Sequence, residues 1–300
     1  MKKTGLIGLG TIVKNYAEGL KNAPYLALAA VCDLSPEAVS RPWFGEYPFY
    51  TDYREMVRVE GLDYVIISTP PQFHYEIAMW ALSQGVNVIV EKPATLNLAD
   101  CEALVAFAAE RGLVFEVMYH WQTGSEVVAF CDAYKGAEIS RIHVAIYDHY
   151  SANGKEIDDP KTALGGAWVD SGVNALSMLK RWLPFDRVLV ESIDFRPCLK
   201  TGKPIYVDVR LLIDGVAVDI TVDWRHDRSD KTTALTVEGR EVLLDHSAQR
   251  IVDGERIIRC DDMERLPRHY FNYFTGFGGA PSTKDTLAIH RVLFAVEEQL

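Results

Sequence analysis

Within the first 120 residues, short apolar runs alternate with segments of helical periodicity. This alternation confines the chain to an α/β architecture, a parallel sheet covered by helices on both faces. Strands are expected at Thr4-Gly5-Leu6-Ile7, Leu26–Cys32, Tyr64–Ser68, residues 86–90 and Val114–Met118. Helical stretches at Lys14–Leu20, Phe73–Gln84 and Asp100–Glu110 separate them, with Gly85 and Gly112 placed to stop the last two. Parallel strands joined by helical crossovers all point the same way. Their carboxyl ends fall on one edge of the sheet, where open sheets of this kind bind ligands. Gly8, Asp33, Ser68, Thr69, Pro70, Lys92 and His120 follow strand ends and are expected to share that crevice.

Gly8-Leu9-Gly10-Thr11-Ile12-Val13 joins the first strand to the first helix. Gly8 permits the tight turn, and Gly10 lets the backbone approach a pyrophosphate. Thr11 and Ile12 open a helix whose unpaired N–H groups would face that anion. Val13 replaces the third glycine of the pattern, so a looser approach of helix to strand is expected. The second strand ends in Asp33, at the distance where a carboxylate binds the hydroxyls of an adenosine ribose. A carboxylate there favours NAD, because it repels the extra phosphate of NADP; NADP stays open. Asp33 can equally serve as a cap ahead of Ser35-Pro36-Glu37. Ser68, Thr69, Pro70, Pro71 and His74 are candidates to shape the nicotinamide and ribose pocket, with the doubled proline stiffening the turn.

The apolar run Val86-Asn87-Val88-Ile89-Val90 ends in Glu91-Lys92-Pro93. A lysine at the lip of a buried strand is costly unless it is paired or has a task. The plain alternative is a surface turn.

Composition narrows the classes. Three hundred residues, nearly half of them hydrophobic, suffice for two compact domains. No apolar run is long enough to span a membrane, and Lys2-Lys3 leads straight into a strand instead of a secretory signal, so a cytoplasmic protein is expected. A formal charge of −11 argues against nucleic acid or an anionic membrane as partner. Cysteines 32, 101, 131, 198 and 260 show no metal-ligand spacing; no metal and reduced, mostly buried thiols are expected.

The domain boundary is placed near Tyr119-His120-Trp121, dividing 1–119 from 120–300. Beyond it a helix is expected at Glu126–Tyr134, a strand within Ile139–Tyr150, a polar loop over Ser151–Ala163 and a helix at Val169–Leu183. Strands follow at Val188–Ile193, Ile205–Ile213, Val216–Trp224, Thr232–Glu238 and Glu241–Leu244, with Asp214-Gly215 and Gly239-Arg240 as hairpin turns. Asp219-Ile220-Thr221-Val222-Asp223-Trp224 alternates, which implies one buried and one wetter face. Two helices, roughly 265–277 and 284–298, close the chain. A broad, mostly antiparallel sheet with one uncovered face needs a partner, so a homodimer through that face is expected. His143 and His246 read as satisfied core histidines.

The glycine turn, Thr69-Pro70-Pro71-Gln72, Glu91-Lys92-Pro93 and the run from Gly165 to Asn174, in this order, resemble the Gfo/Idh/MocA family over nearly the whole chain. The resemblance implies an N-terminal Rossmann domain and a C-terminal α/β domain with a large open sheet. It also implies oxidation or reduction of a sugar or cyclitol carbinol with NAD(P). It places Glu91 and Lys92 at the cofactor and gives Lys92 the reacting oxygen. Asp170 and Asn174 are i and i+4, so they leave one face of a helix together. Their plain reading is a helix cap and a solvated polar position; the resemblance makes both catalytic. Members of the family usually carry histidine where this chain has Asn174, and an amide cannot ionise at neutral pH.

With that asparagine, the Asp170 run and Asp223-Trp224-Arg225-His226 resemble the aldose 1-dehydrogenases acting on L-arabinose, D-galactose or D-fucose. An anomeric hydroxyl is more acidic than an ordinary secondary alcohol, so a histidine base becomes dispensable and the product is a lactone. Sugar contacts are expected from Lys92, His120, Asp148, Trp168, Asp170, Asn174, Trp224 and His226, with His149 as a further candidate. Two other readings remain: an inositol dehydrogenase or oxo-sugar reductase, and a nucleotide-binding sensor without turnover.

Overall fold

The computed structural model describes residues 1–40, 43–151, 165–280 and 283–300. The expected loop over Ser151–Ala163 lies, after Ser151, outside the described residues. Two compact units divide the chain: Met1–His120 with Leu266–Leu287, and Trp121–Arg265 with Ala288–Leu300.

The first unit holds a six-stranded sheet of β1 (Lys2–Ile7), β2 (Leu26–Cys32), β3 (Phe49–Tyr50), β4 (Tyr64–Ile67), β5 (Asn87–Glu91) and β6 (Phe115–Met118). Their spatial order is β3-β2-β1-β4-β5-β6, and every pairing is parallel. This is the doubly wound order, which reverses direction between β1 and β4. All of β4 and Val88, Ile89 and Val90 of β5 are buried, as strands covered on both faces must be. Crossover helices run over Tyr53–Glu60, His74–Ser83 and Leu98–Glu110. Asn97 caps the last by accepting from the Asp100 N–H at 2.8 Å. The helix Tyr53–Glu60 is short and mostly polar, burying only Met56 and Val57, and β3 has two residues, so neither announces itself in the sequence.

The first helix differs from expectation. Thr11–Asn15 forms a 3₁₀ helix, and Ala17–Lys21 a short α-helix. Val13 is fully buried beside Leu6, Leu9 and Tyr16. The close backbone approach lies instead at Gly19, where a Cβ would come within 2.9 Å of the Tyr270 carbonyl oxygen. Tyr270 belongs to the helix Arg265–Gly276, which returns from the end of the chain. Its Tyr270 and Phe274, with Phe277 just beyond its end, pack with Tyr16, Tyr25 and Tyr64, which is why this segment joins the first unit. A single cut in the sequence cannot express such a return.

The second unit holds an eight-stranded sheet of β7 (Ile139–Tyr147), β8 (Val188–Pro197), β9 (Pro204–Ile213), β10 (Val216–Asp223), β11 (Asp230–Val237), β12 (Arg240–Asp245), β13 (Arg250–Asp253) and β14 (Arg256–Arg259). The order is β14-β13-β12-β11-β7-β10-β9-β8, antiparallel except where β7 meets β10. Val218, Ile220 and Val222 face the core and alternate with the half-buried Asp219, Thr221 and Asp223. Asp214 (φ 50°) and Gly215 (φ 89°) make the first hairpin turn. The second uses Glu238 (φ 48°) and Gly239 (φ 76°), one residue earlier than Gly239-Arg240, because such a turn needs two residues at positive φ. His143 is a correction. Ile142 and Val144 are buried, so the period of two turns His143 outward, 3.4 Å from Thr221 Oγ1. His246 is a satisfied core histidine, its ring nitrogens 2.7 Å from Glu126 Oε1 and 2.8 Å from Thr233 Oγ1.

Candidate functional site

In the first unit, the reversal between β1 and β4 sets the glycine turn against the turn after β4. Gly8 has φ +90°, and a Cβ there would lie 2.9 Å from backbone atoms of Ser68 and Thr69. Ser68 Oγ donates to the Gly8 carbonyl at 2.6 Å. Beside Gly10 the situation is opposite: a Cβ would meet no atom within 4 Å among the described residues. One glycine is needed for conformation, the other leaves room for a ligand. Thr11 is exposed and Ile12 partly so. Asp33 holds the turn, in line with the capping reading, and leaves the other reading open. Its Oδ2 accepts from the Leu9 N–H at 2.7 Å and its Oδ1 from the Ser35 N–H at 2.9 Å. Each oxygen retains acceptor capacity for a ribose hydroxyl. Thr69 Oγ1 is buried with no hydrogen-bond partner among the described residues, a cost that a ligand's polar group would remove. Open space at Gly10, an acceptor at Asp33 and an unsatisfied hydroxyl at Thr69 fit a dinucleotide along this edge.

His74 does not face the crevice. It is fully buried, with Nε2 2.8 Å from the Thr69 carbonyl and Nδ1 2.9 Å from the Pro93 carbonyl, so it ties the turn after β4 to the turn after β5. Burial pushes its imidazole below the usual range. Pro71 is buried and Pro70 partly so.

At the end of β5, Glu91 is 7% exposed and turned into the unit. Its Oε1 accepts from the Tyr16 and Tyr270 hydroxyls, the latter at 2.6 Å, and its Oε2 from the Lys92 N–H at 3.0 Å. Burial raises its carboxyl above the usual range, against the Lys92 charge and the two phenols. Glu91 is thus a support beneath Lys92 and not a surface for the cofactor. Lys92 itself is partly exposed at the strand's lip, followed by a cis peptide bond to Pro93.

In the second unit, Trp168–Gly172 form a π-helical turn that runs into the helix Val173–Leu179. Such turns often mark functional positions. From Gly166 to Leu179, Asp170 alone is not buried. Asn174 Nδ2 donates to the Asp170 carbonyl at 3.3 Å, and its Oδ1 has no hydrogen-bond partner among the described residues. Neither residue caps a helix. Gly165 and Gly166 pack closely within the unit. A Cβ on Gly166 would lie 2.9 Å from Pro204 Cδ, and one on Gly165 2.9 Å from Val169.

The remaining candidates separate. Trp168 is fully buried and donates from Nε1 to the Leu293 carbonyl at 2.9 Å, so it fills the core and forms no wall. Trp224 is buried likewise, 3.2 Å from Ser171 Oγ. Asp148 is committed to an ion pair with Lys231 at 2.6 Å and accepts from Ser229 at 2.7 Å. His120 is buried in the first unit, stacked on Tyr270 with centroids 4.9 Å apart. His226 stacks on Tyr147 at 4.6 Å, and His149 is exposed. Tyr150 escaped the sequence reading. Its half-exposed ring stands edge-on to Trp224 at 5.2 Å, and burial together with the Asp148 and Asp170 charges pushes its phenol up. Nothing in the sequence marked it beyond its place after Asp148-His149.

Among the described residues no helix is long and apolar enough to cross a membrane. Residues 2–119 match the family model Gfo/Idh/MocA, described as an oxidoreductase family with an NAD-binding Rossmann fold. D-apiose dehydrogenase of Paraburkholderia graminis is 31% identical over 130 residues, 42% of this chain and 35% of that protein. The 1,5-anhydro-D-fructose reductase of Ensifer adhaerens is 27% identical over 187 residues, 60% of this chain and 56% of that protein. These matches span 35% and 56% of the lengths of those curated relatives. The crystal structure of D-galactose-1-dehydrogenase from Rhizobium etli superposes with a TM-score of 0.79 over 98% of this chain and 94% of that one, at 22% identity. At that identity the likeness speaks for the fold. Over residues 2–119 the chain is thus similar to the Gfo/Idh/MocA oxidoreductase family, whose model describes an NAD-binding Rossmann fold.

Proposed function

We propose that this protein oxidises the anomeric carbon of an aldose of the D-galactose, L-arabinose or D-fucose type to the aldonolactone. The observation that carries the reading is a partly exposed lysine, Lys92, at the carboxyl end of β5 on the edge that fits a dinucleotide, with the Glu91 carboxyl beneath it. Bound NAD supplies the acceptor for the hydride leaving the anomeric carbon. Lys92 meets the anomeric oxygen, and the proton that leaves it goes to Lys92, directly or through water, or to Asp170 as base. Asn174 has a spare amide oxygen to hold the reacting hydroxyl. Because that amide cannot serve as a base, the chemistry that suits it is oxidation of an acidic hydroxyl, and the anomeric one is the most acidic on a sugar. The likeness to D-galactose-1-dehydrogenase agrees with this choice.

The test is a panel of aldoses and inositols with NAD and NADP, followed by NADH absorbance and lactone detection. Aldoses are expected to give NADH and lactone. Lys92→Ala should lower kcat by about 10²–10⁴-fold, and Asn174→Ala by less. Turnover confined to inositols, or full activity in Lys92→Ala, sinks the reading. A second reading, reduction of an oxo-sugar, is favoured by the match to 1,5-anhydro-D-fructose reductase over 60% of this chain. It is decided by consumption of the reduced cofactor with that ketose.

A further inference from the structure

An aldose ring needs an apolar surface as well as hydrogen bonds, because C–H groups make up part of each of its faces. The two tryptophans that the sequence offered near Asp170 and after β10 both lie in the core of the second unit. Tyr150, three residues beyond β7, is different. It is 50% exposed, and its ring stands edge-on to Trp224, with centroids 5.2 Å apart and the planes at 82°. Trp224 is itself held from both ends. Its Nε1 donates to Ser171 Oγ at 3.2 Å, and its carbonyl accepts from the Ser151 N–H at 2.8 Å and from Ser151 Oγ at 3.2 Å. Ser171 adjoins Asp170, the one residue of the π-helical turn that is not buried. A half-exposed ring with a rigid backing is thus tied, through Trp224 and Ser171, to the turn that presents Asp170. Its hydroxyl donates to no described residue. Burial and the charges of Asp148 and Asp170, against that of Arg265, push the phenol up, so it is a donor at neutral pH.

We propose that Tyr150 is a sugar-binding residue, the aromatic platform on which the apolar face of the aldose lies, with its hydroxyl donating to a hydroxyl at the edge of the sugar. An aromatic ring offers a large flat surface at little cost in side-chain freedom, and its electron-rich face attracts C–H groups. Which sugars suit it follows from their stereochemistry. In D-galactose, D-fucose and L-arabinose the axial 4-hydroxyl points to one face, so the C–H groups at C3, C4 and C5 gather on the other. In D-glucose the C–H group at C4 points to the opposite face from those at C3 and C5, and the patch is broken. Tyr150 therefore groups the galactose-type sugars as one class. The inference rests on the aldose reading of the same site.

Saturation-transfer difference NMR on the full chain with NADH and D-galactose reads the contact directly, since the reduced cofactor cannot accept a hydride. In wild type the protons on C3, C4 and C5 should receive the most saturation. Tyr150→Ala should lose about half of that saturation or more and raise the dissociation constant of D-galactose about tenfold. Tyr150→Phe should keep the saturation and raise the constant about threefold, from the lost hydrogen bond. NADH should bind all three proteins alike. Undiminished saturation and an unchanged constant in Tyr150→Ala overturn the inference, as does an equal loss of NADH affinity. If Tyr150→Ala does not fold, Tyr150→Phe decides, and a D-galactose constant equal to that of wild type overturns the inference. D-Galactose that binds through Tyr150 but yields no lactone with NAD sinks the proposed reaction and leaves the platform standing. D-Galactose that does not bind wild type overturns both.

Discussion

A carboxylate that holds backbone and ligand together makes a compromise at every substitution, and Asp33 illustrates it. Its two oxygens already bind the Leu9 and Ser35 N–H groups, so the carboxylate proposed to meet a ribose is also what fixes the glycine turn. Asp33→Ser should weaken NAD binding and narrow the preference for NAD over NADP, as read by titrating both cofactors. It should also cost about 1 kcal/mol of stability from the lost hydrogen bonds. Glu91 gives a pH signature. Its carboxyl holds its proton to higher pH in the folded protein than in the unfolded chain. Between those two points the folded state binds more protons, so stability falls as pH rises through that window. Urea unfolding across that window should show the fall in wild type and a flatter profile in Glu91→Gln. Single residues were also where the sequence reading was weakest. Trp168, two positions before Asp170, and His120, just past a strand end, both read as sugar contacts. Position next to a motif does not say which way a side chain points, and both are buried.

At the scale of the element, the glycine turn separates two physical demands that the sequence writes with one letter. Gly8→Ala places a Cβ 2.9 Å from the Ser68 backbone at φ +90° and should destabilise the protein by about 1–3 kcal/mol. Gly10→Ala meets no atom within 4 Å among the described residues and should leave stability within about 0.5 kcal/mol while weakening NAD binding. Thermal unfolding and cofactor titration of the two variants check this division. The strands and crossover helices of the first unit were legible because burial on both faces writes a continuous apolar run. The helix Tyr53–Glu60 was not, since it buries little. Strands β13 and β14 escaped for a related reason: each has only four residues, with Ile251 alone buried among them. The π-helical turn at Trp168–Gly172 has no sequence signature at all, because one extra residue in a turn leaves helical periodicity nearly intact.

At the scale of the whole molecule, the second sheet exposes a face of alternating charge. Arg141 and Arg210 both bind Asp219, at 2.8 and 2.9 Å, with His143 and Asp208 on the same face. The proposed homodimer would use it, and a charged face makes the prediction specific. Sedimentation should give twice the chain mass, and Asp219→Lys, which leaves the two arginines without their counter-charge, should give the monomer. A monomeric wild type ends the proposal.

Local pattern determined which segments are strands, that the first ones are parallel, and that their ends line up, because burial periodicity and the hand of helical crossovers leave few alternatives. It also determined the residue types at the crevice: glycines, Asp33, Thr69, Lys92. Tertiary structure alone decided what those residues lean on. Tyr16 and Tyr270 are separated by most of the chain, yet they meet on one carboxyl oxygen beneath Lys92. No spacing in a sequence announces such a meeting, because contacts between distant segments arise only when packing brings back a helix that local periodicity leaves free to go elsewhere.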